Sequence, residues 1–490
     1  MSPYSPLKHQ LVEASSYRGI SSANPFWYGN LVHLYLELKL GLDLEGAEVV
    51  QNARKAQKYI RRAAEAAQVT CDVFNGQVLE IHGRTLHLGL EYGDPSKVAQ
   101  QMNGAAGLLH VLLKRVYGSG GPSGWKMAAD HGITLTVQSV GIHSDTSLVS
   151  LSPAANFPAK QLGRGKVGLW ELGSNLHGEW SCKDLDELAR FCGSNTLAEQ
   201  SVVGRASPFE RLAEHRAQLI NFSSLQEIRS GVQLVNLQAA PVGNPTDENL
   251  YSRFAVVLSM DLDKFTARVA AAAQGSVEDK RLLAQDFLDI MNQTAAFAAA
   301  RGEEFVQFPF AGDNAIFAVI TENAADYART KKITPIEVAV DWEGAMGDSS
   351  RAAGFGGWGQ VIAGGLVPHG NTKGNLHISG IKVGGRRFLV GVGPGMRYAR
   401  EGFVQVDPSP KQLAIFSKDM PDLHEFLQEV FEPCRSNNSE VSSNYKMATL
   451  ADLKVALAKV VQKKKQAVSG LADARIPLAT GFMISRPYCE

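Results

Sequence analysis

The sequence predicts an α+β fold built from two related halves, and three observations carry that prediction. Residues 254–320 run strand, acidic pair, helix, strand, Gly-Asp turn, strand. The same order of elements recurs over residues 32–142. The chain has 490 residues, 44% of them hydrophobic and 20% charged, which suits two domains able to bury a sizeable core.

The second half is the more explicit. Its apolar run 254–260 is rich in β-branched residues and reads as a buried strand. That run leads into Asp261-Leu262-Asp263-Lys264-Phe265-Thr266, after which Phe287, Ile290, Met291, Thr294 and Phe297 recur at helical spacing. A second apolar stretch, 305–310, precedes Ala311-Gly312-Asp313-Asn314, and 315–320 is a further strand. Two carboxylates at strand ends suit a hard cation, because Mg²⁺ is held by one or two carboxylates together with phosphate oxygens and water. Gly312 lets the backbone bend and aim Asp313 at its partner strand. Each acid alone reads as an ordinary strand-end or turn residue; the ordered set points to metal.

In the first half, residues 1–26 read as an irregular lead-in. Strands are predicted at 32–40, 77–82, 85–90 and 133–142, with helices at 45–68 and 100–117. Overlaid on the second half, Glu37 falls where Asp261 stands and Arg84 where Asp313 stands. Arginine cannot bind a metal cation, so this half is expected to have lost metal binding. Asn156, Lys160 and Arg164, spaced i, i+4 and i+8, share one face of a helix. Pro158 requires that helix to begin close to Phe157, since proline is tolerated in the first turn. A short helix at 184–191, a longer one at 208–225 and a linker at 241–245 follow. A strand at 358–365, a strand and helix over 388–400, and a last helix at 450–467 complete the chain. Lys463, Lys464 and Lys465 are expected to complement that helix's C-terminus.

Lys plus Arg equals Asp plus Glu at 49 each, so no global field recruits nucleic acid or an anionic membrane. The five cysteines are odd in number and form no CxxC pair, as expected of reduced thiols in a cytosolic protein. No apolar run reaches the ~20 residues that span a bilayer, and no signal peptide is expected. A cytoplasmic location, with no nucleic acid and no stable membrane contact, is the expectation.

Met260-Asp261-Leu262-Asp263-Lys264-Phe265-Thr266 with Phe310-Ala311-Gly312-Asp313 resembles the palm of class III nucleotidyl cyclases. In the first half, Gly141-Ile142-His143-Ser144-Asp145 resembles a strand of that family, and 152–162 resembles its Asn/Arg helix. The resemblance implies two ferredoxin-like palm domains in tandem, arranged as a head-to-tail pseudodimer. Residues 27–165 would be a degenerate cyclase-like domain, 166–250 a connecting segment, 251–435 the metal-binding domain and 436–490 a C-terminal helix and tail. It implies that Asp261 and Asp313, with the Leu262 carbonyl, hold two Mg²⁺ or Mn²⁺ ions. Asn156 would orient the ribose, and Lys160, helped by Arg164, would meet charge on the phosphoryl oxygens, although the family has Arg where this chain has Lys160. Glu80 and Val149 fall at the base-reading positions, and Phe265 and Thr266 would border the substrate. A Glu at position 80 accepts from amino and imino N–H groups, which disfavours ATP and suits UTP, CTP or GTP; its plain alternative is a surface acid. The opposite site, Glu37 and Arg84 with Met396 and Arg400, would be degenerate.

The implied activity is conversion of an NTP to a 3′,5′-cyclic NMP and pyrophosphate. The layout is similar to that of bacterial Pycsar pyrimidine cyclases, which make cUMP or cCMP in antiphage defence. A guanylate cyclase, an inactive nucleotide-binding regulator and a palm that joins two nucleotides are the alternatives. A monomer serving as an internal pseudodimer suffices, and a homodimer is compatible.

Overall fold

A computed structural model describes residues 23–44, 48–95, 98–117, 120–140, 146–164, 170–172, 232–235, 251–302, 304–364, 374–384, 386–416, 423–435 and 442–473, with Tyr17, Ile20, Leu185 and Lys418. The helices expected at 184–191 and 208–225, the linker at 241–245 and the Gly141 to Asp145 motif lie outside these residues, Leu185 apart. The first half comprises β1 (Phe26–Lys39), α1 (Val49–Val73), β2 (Gly76–His82), β3 (Thr85–Glu91), α2 (Val98–Tyr117), β4 (Gly124–Val140), β5 (Thr146–Leu151), α3 (Pro153–Arg164) and β6 (Trp170–Leu172). The second comprises β7 (Val232–Val235), β8 (Tyr251–Asp263), α4 (Phe265–Gln274), α5 (Val277–Ala299), β9 (Phe305–Gln307), β10 (Asn314–Thr321), α6 (Ala324–Thr330) and α7 (Thr334–Ala352). It continues through β11 (Gly357–Ala363), β12 (Leu376–Val383), β13 (Arg386–Val392), α8 (Pro394–Gln405), β14 (Gln412–Phe416), α9 (Glu425–Gln428), β15 (Glu432–Arg435), β16 (Ser442–Thr449) and α10 (Leu450–Asp473).

The mixed α+β expectation holds, and both sheets carry one wiring plan. The first has the order β2-β3-β1-β4-β5, with β6 parallel to β4. In the second, β9-β10-β8-β11 occupies the matching places, with β14 parallel to β11. Registers match as well. Glu37 on β1 lies opposite Thr85 and Lys126, while Asp261 on β8 lies opposite Asn314 and Gly359. Arg84 and Asp313, each one residue earlier, therefore stand at equivalent places.

Several boundaries differ from expectation, each for a local reason. β1 starts at Phe26, because Phe26 and Trp27 are buried and pair with β4. β8 runs through both acids instead of ending at Asp261, and the chain breaks only at Lys264, whose left-handed φ of 61° starts α4. α3 begins at Pro153, ahead of Phe157: proline suits a first helical position, and the Ser152 hydroxyl caps the end by accepting from the Ala154 N–H at 3.3 Å. Pro158 is thus inside the helix, where it deprives the Ala154 carbonyl of its usual partner. α10 runs well past Lys463, whose ammonium pairs with Glu425 of α9 instead of capping a C-terminus. β7, in a stretch where no strand was expected, adds to β12.

Two apolar cores each draw on both halves. Ile60 of α1 and Leu109 of α2 share one with Ile381, Phe388 and Val390 of the β12–β13 hairpin. Leu135, Val137, Val149 and Leu151 of β4–β5 share the other with Leu258, Phe287 and Met291. Burying each such side chain is worth roughly 1.5–3 kcal/mol. The exchanged side chains together are of the order of a domain's whole net stability, so each half depends on the other's hairpin. Among the described residues, no helix is long and apolar enough to cross a membrane.

Candidate active site

The β8–β10 pairing sets Asp261 beside the turn that carries Asp313. Gly312 takes a left-handed φ of 63° in that turn, a conformation that glycine adopts without strain. Asn314 then orients the first acid: its amide donates to Asp261 Oδ1 at 2.8 Å, and its carbonyl oxygen accepts from Ser259 Oγ at 3.2 Å. Burial raises both carboxyls above the ordinary range. Asp407 adds to the rise at Asp261, and Asp261 itself adds to the rise at Asp313. Two partly buried acids that repel one another make a place for a cation. Among the described residues, no three His, Cys, Asp or Glu side chains close into a metal cage, so any ion held here would complete its shell with substrate oxygens and water.

Lys160, exposed on α3, lies close enough to oppose both rises through its positive charge. On the same helix, Asn156 donates to Thr266 Oγ1 at 2.9 Å, tying α3 to the start of α4. Ser147 on β5 accepts from the Phe310 N–H at 3.0 Å. The structure thus brings together Asp261, Asp313, Asn156, Lys160 and Thr266, drawn from both halves. The Arg164 side chain lies outside the described residues. Phe265 is buried against Phe287 and Phe355, and Val149 is fully buried in the shared core, so both act as packing residues here. Leu262 buries its side chain and pairs through its backbone with Trp358.

Glu80 is buried on β2, and one of its oxygens accepts from the Gly312 N–H at 3.3 Å. It is not a surface acid. Burial pushes its carboxyl up to about 8, opposed by that N–H. Behind it runs a chain of buried polar groups. Thr134 gives its proton to the Gly132 carbonyl at 3.1 Å, so it must accept from His33 Nε2 at 2.8 Å. His33 Nδ1 then accepts from His87 Nε2 at 3.0 Å, which leaves His87 Nδ1 a bare lone pair 3.8 Å from Glu80. Tyr35 stacks on His87 with ring centroids 3.9 Å apart.

Four of these groups escaped the sequence reading. Asn314 follows Asp313 directly, and an amide beside a metal-type acid is a readable signal. Asp407, in a left-handed conformation before Pro408, gave only an acid–proline turn signal. His33 and His87 sit at inward positions of apolar strands and gave none.

No family model matches the chain, and no curated protein matches it. Among solved structures, a class III adenylyl cyclase-like ATP-binding protein from Pseudomonas aeruginosa is similar over 89% of this chain and 91% of its own, with a TM-score of 0.59 at 14% identity. The guanylyl cyclase Cya2 matches 40% of this chain and 90% of its own at 13% identity (TM-score 0.28). The adenylyl cyclase CyaB from P. aeruginosa matches 34% and 83% at 12% (TM-score 0.24). Along 89% of its length, the chain shares the fold of a class III adenylyl cyclase-like protein.

Proposed function

We propose that the chain is a nucleotidyl cyclase whose two halves, residues 27–165 and 251–435, are cyclase-like domains paired head to tail as an internal pseudodimer. The observation that carries this reading is the convergence of Asp261 and Asp313 from one half with Lys160 and Asn156 from the other. The matching sheet orders and registers support the duplication. The reaction joins the ribose 3′-oxygen of an NTP to its α-phosphorus and releases pyrophosphate.

Asp261 and Asp313 fit one or two Mg²⁺ or Mn²⁺ ions, since they are close, acidic, partly buried and in need of positive charge. When bound, such ions would acidify the 3′-hydroxyl and neutralise the phosphates. Asn314 holds Asp261 in place for them. Lys160 meets charge developing on the α-phosphoryl oxygens and the departing pyrophosphate, in a site whose dipoles are already fixed. Asn156, steadied by Thr266, orients the ribose.

The finer reading is a pyrimidine cyclase that makes cUMP or cCMP as an antiphage signal, and it rests on the sequence resemblance. Glu80 bears on it. A carboxyl kept protonated near neutral pH both donates and accepts, which suits the O4 and imino N–H of uracil. A second reading, nucleotide binding without turnover, is favoured by Lys160 standing where the family has Arg. Incubation with each of the four NTPs and Mn²⁺, followed by mass spectrometry and a pyrophosphate assay, separates the two. A cyclic nucleotide with stoichiometric pyrophosphate supports the cyclase; nucleotide bound and recovered intact overturns it.

A further inference from the structure

The buried chain behind Glu80 has a direction. Thr134 gives its proton to the Gly132 carbonyl at 3.1 Å, so every step beyond it runs the same way. His33 and His87 are each protonated at Nε2, and His87 Nδ1 is left bare. That lone pair is buried and has no hydrogen-bond partner. Glu80 Oε1 stands 3.8 Å from it, too far for a hydrogen bond. Tyr35 stacks on the His87 ring, and Leu162 of α3 packs on Tyr35, so the helix that carries Asn156 and Lys160 covers the chain.

Two acceptors that face each other repel, and a low dielectric strengthens the repulsion. The bare lone pair therefore favours Glu80 as the neutral acid, and at 3.8 Å it does so without taking up the acid's proton. With the chain reversed, His87 would turn an N–H toward Glu80 and favour the carboxylate, since a donor stabilises the charged form. Reversal would cost Thr134 its bond to Gly132, because its hydroxyl would then donate to His33. The surrounding groups fit the neutral state. Burial keeps His33 neutral, helped by His87 and His131, and takes His87 down to about 3. Burial, then Glu80 and Asp313, push the Tyr35 hydroxyl up. Asp313 in the other half is repelled by Glu80, and Lys160 reaches Asp313. Asp130 of β4, buried opposite His33, turns one oxygen to the His131 N–H at 2.8 Å. The Gly312 N–H is the one opposing contact.

We propose that Thr134, His33 and His87 are positioning residues that fix Glu80 as a neutral donor and acceptor, and so set which base the site takes. This role rests on the cyclase-like site proposed above, with Glu80 at its base-reading position. A carboxylate offers two acceptors, which match the adjacent imino and amino N–H groups of guanine. The acid offers one donor and one acceptor, which match O4 and the imino N–H of uracil. The chain thus removes the advantage that a carboxylate gives to guanine.

The test has two readouts. Nitrogen NMR of isotope-labelled histidines, without nucleotide, shows which ring nitrogen carries each proton. Calorimetry with 3′-deoxy-GTP and 3′-deoxy-UTP, which lack the attacking hydroxyl, measures base preference without turnover. In wild type both rings should be protonated at Nε2. Thr134→Val, which cannot accept from His33, should move both protons to Nδ1. It should also raise the affinity ratio of 3′-deoxy-GTP to 3′-deoxy-UTP by about tenfold or more. Thr134→Ser, which keeps the hydroxyl, should match wild type. Glu80→Gln keeps a donor and an acceptor and cannot ionise, so the Thr134→Val shift should vanish in that background; a shift caused by packing alone would survive there. A wild-type His87 protonated at Nδ1, a ratio unmoved by Thr134→Val, or a shift that persists in the Glu80→Gln background overturns the proposal. Failure to bind either analogue overturns it together with the cyclase reading. The expected shift without pyrophosphate release from any NTP overturns the cyclase reading alone.

Discussion

The Gly312 N–H donates to Glu80 across 232 residues of chain, at 3.3 Å, so a carboxyl in one half braces the turn that carries Asp313 in the other. Glu80 lies 3.8 Å beyond the His87 end of the Thr134–His33–His87 chain, and its folded pKa is pushed up by burial.

The sign of the pH dependence follows. Glu80 rises from 4.5 to about 8 on folding, so its stabilisation is full below pH 4.5 and is lost as pH climbs through about 8. Burial lowers His33 and takes His87 down to about 3, so stability is lost as pH falls below 6.5. Below 6.5 the two histidines outweigh the one carboxyl, so the metal-free protein should be most stable at about pH 6.5, each unit of separation counting for roughly 1.4 kcal/mol. Glu80→Gln should flatten the loss between about pH 6.5 and 8 in urea unfolding. A wild-type slope retained in that variant would contradict this assignment.

Removing one acid of the pair should split activity from stability. Asp313→Asn should cost more than about 100-fold in kcat, since even groups that only support a metal ligand cost 10–100-fold. Its raised carboxyl means that the metal-free variant should melt higher than wild type at pH 8. Mn²⁺ should raise the melting temperature of wild type and not of the variant. A variant destabilised at pH 8 would show that the pair is not under mutual repulsion.

Asn314→Ala removes the amide that orients Asp261 at 2.8 Å. An activity loss of roughly 10–100-fold with weakened Mn²⁺ affinity is expected. Asn314→Asp, which adds a third negative charge, should lose orientation but bind Mn²⁺ better than the alanine variant. Mn²⁺ titration followed by EPR measures both.

Asn156 and Thr266 should behave as a unit. Asn156→Ala and Thr266→Val each break the 2.9 Å bond between α3 and α4, and their effects on kcat should fail to add by about 0.5–1.5 kcal/mol in a double-mutant cycle. Independent effects would place Asn156 outside the ribose-orienting role. Since Thr266 is exposed, both variants should unfold within about 0.5 kcal/mol of wild type.

Much of the site's acidic side was legible in the sequence, because it is local. Asp261 ends an apolar run and Asp313 follows a glycine just ahead of another, so both signals lie within a few residues. The overlay of Glu37 on Asp261 and Arg84 on Asp313 was legible for the same reason and agrees with the register. Local signals failed where long-range packing decides. β8 continues beyond Asp261 to Asp263 because β11 pairs with it through Gly357. α7 was unread because its glycines and Pro335 mask the stripe that buries Trp342 edge-on against Trp358.

By itself, then, the chain's order of residues determined the two matching series of strands and helices, the acids of the second half and the loss of those acids in the first. Periodicity and turn chemistry act over a few residues and need no distant partner. Only the tertiary structure decided that Lys160 comes within electrostatic reach of Asp261 and Asp313, that Glu80 turns inward to brace Gly312, and that Arg400 reaches Thr85. Each of those pairings spans the two halves and exists because each half completes its apolar core with the other's hairpin.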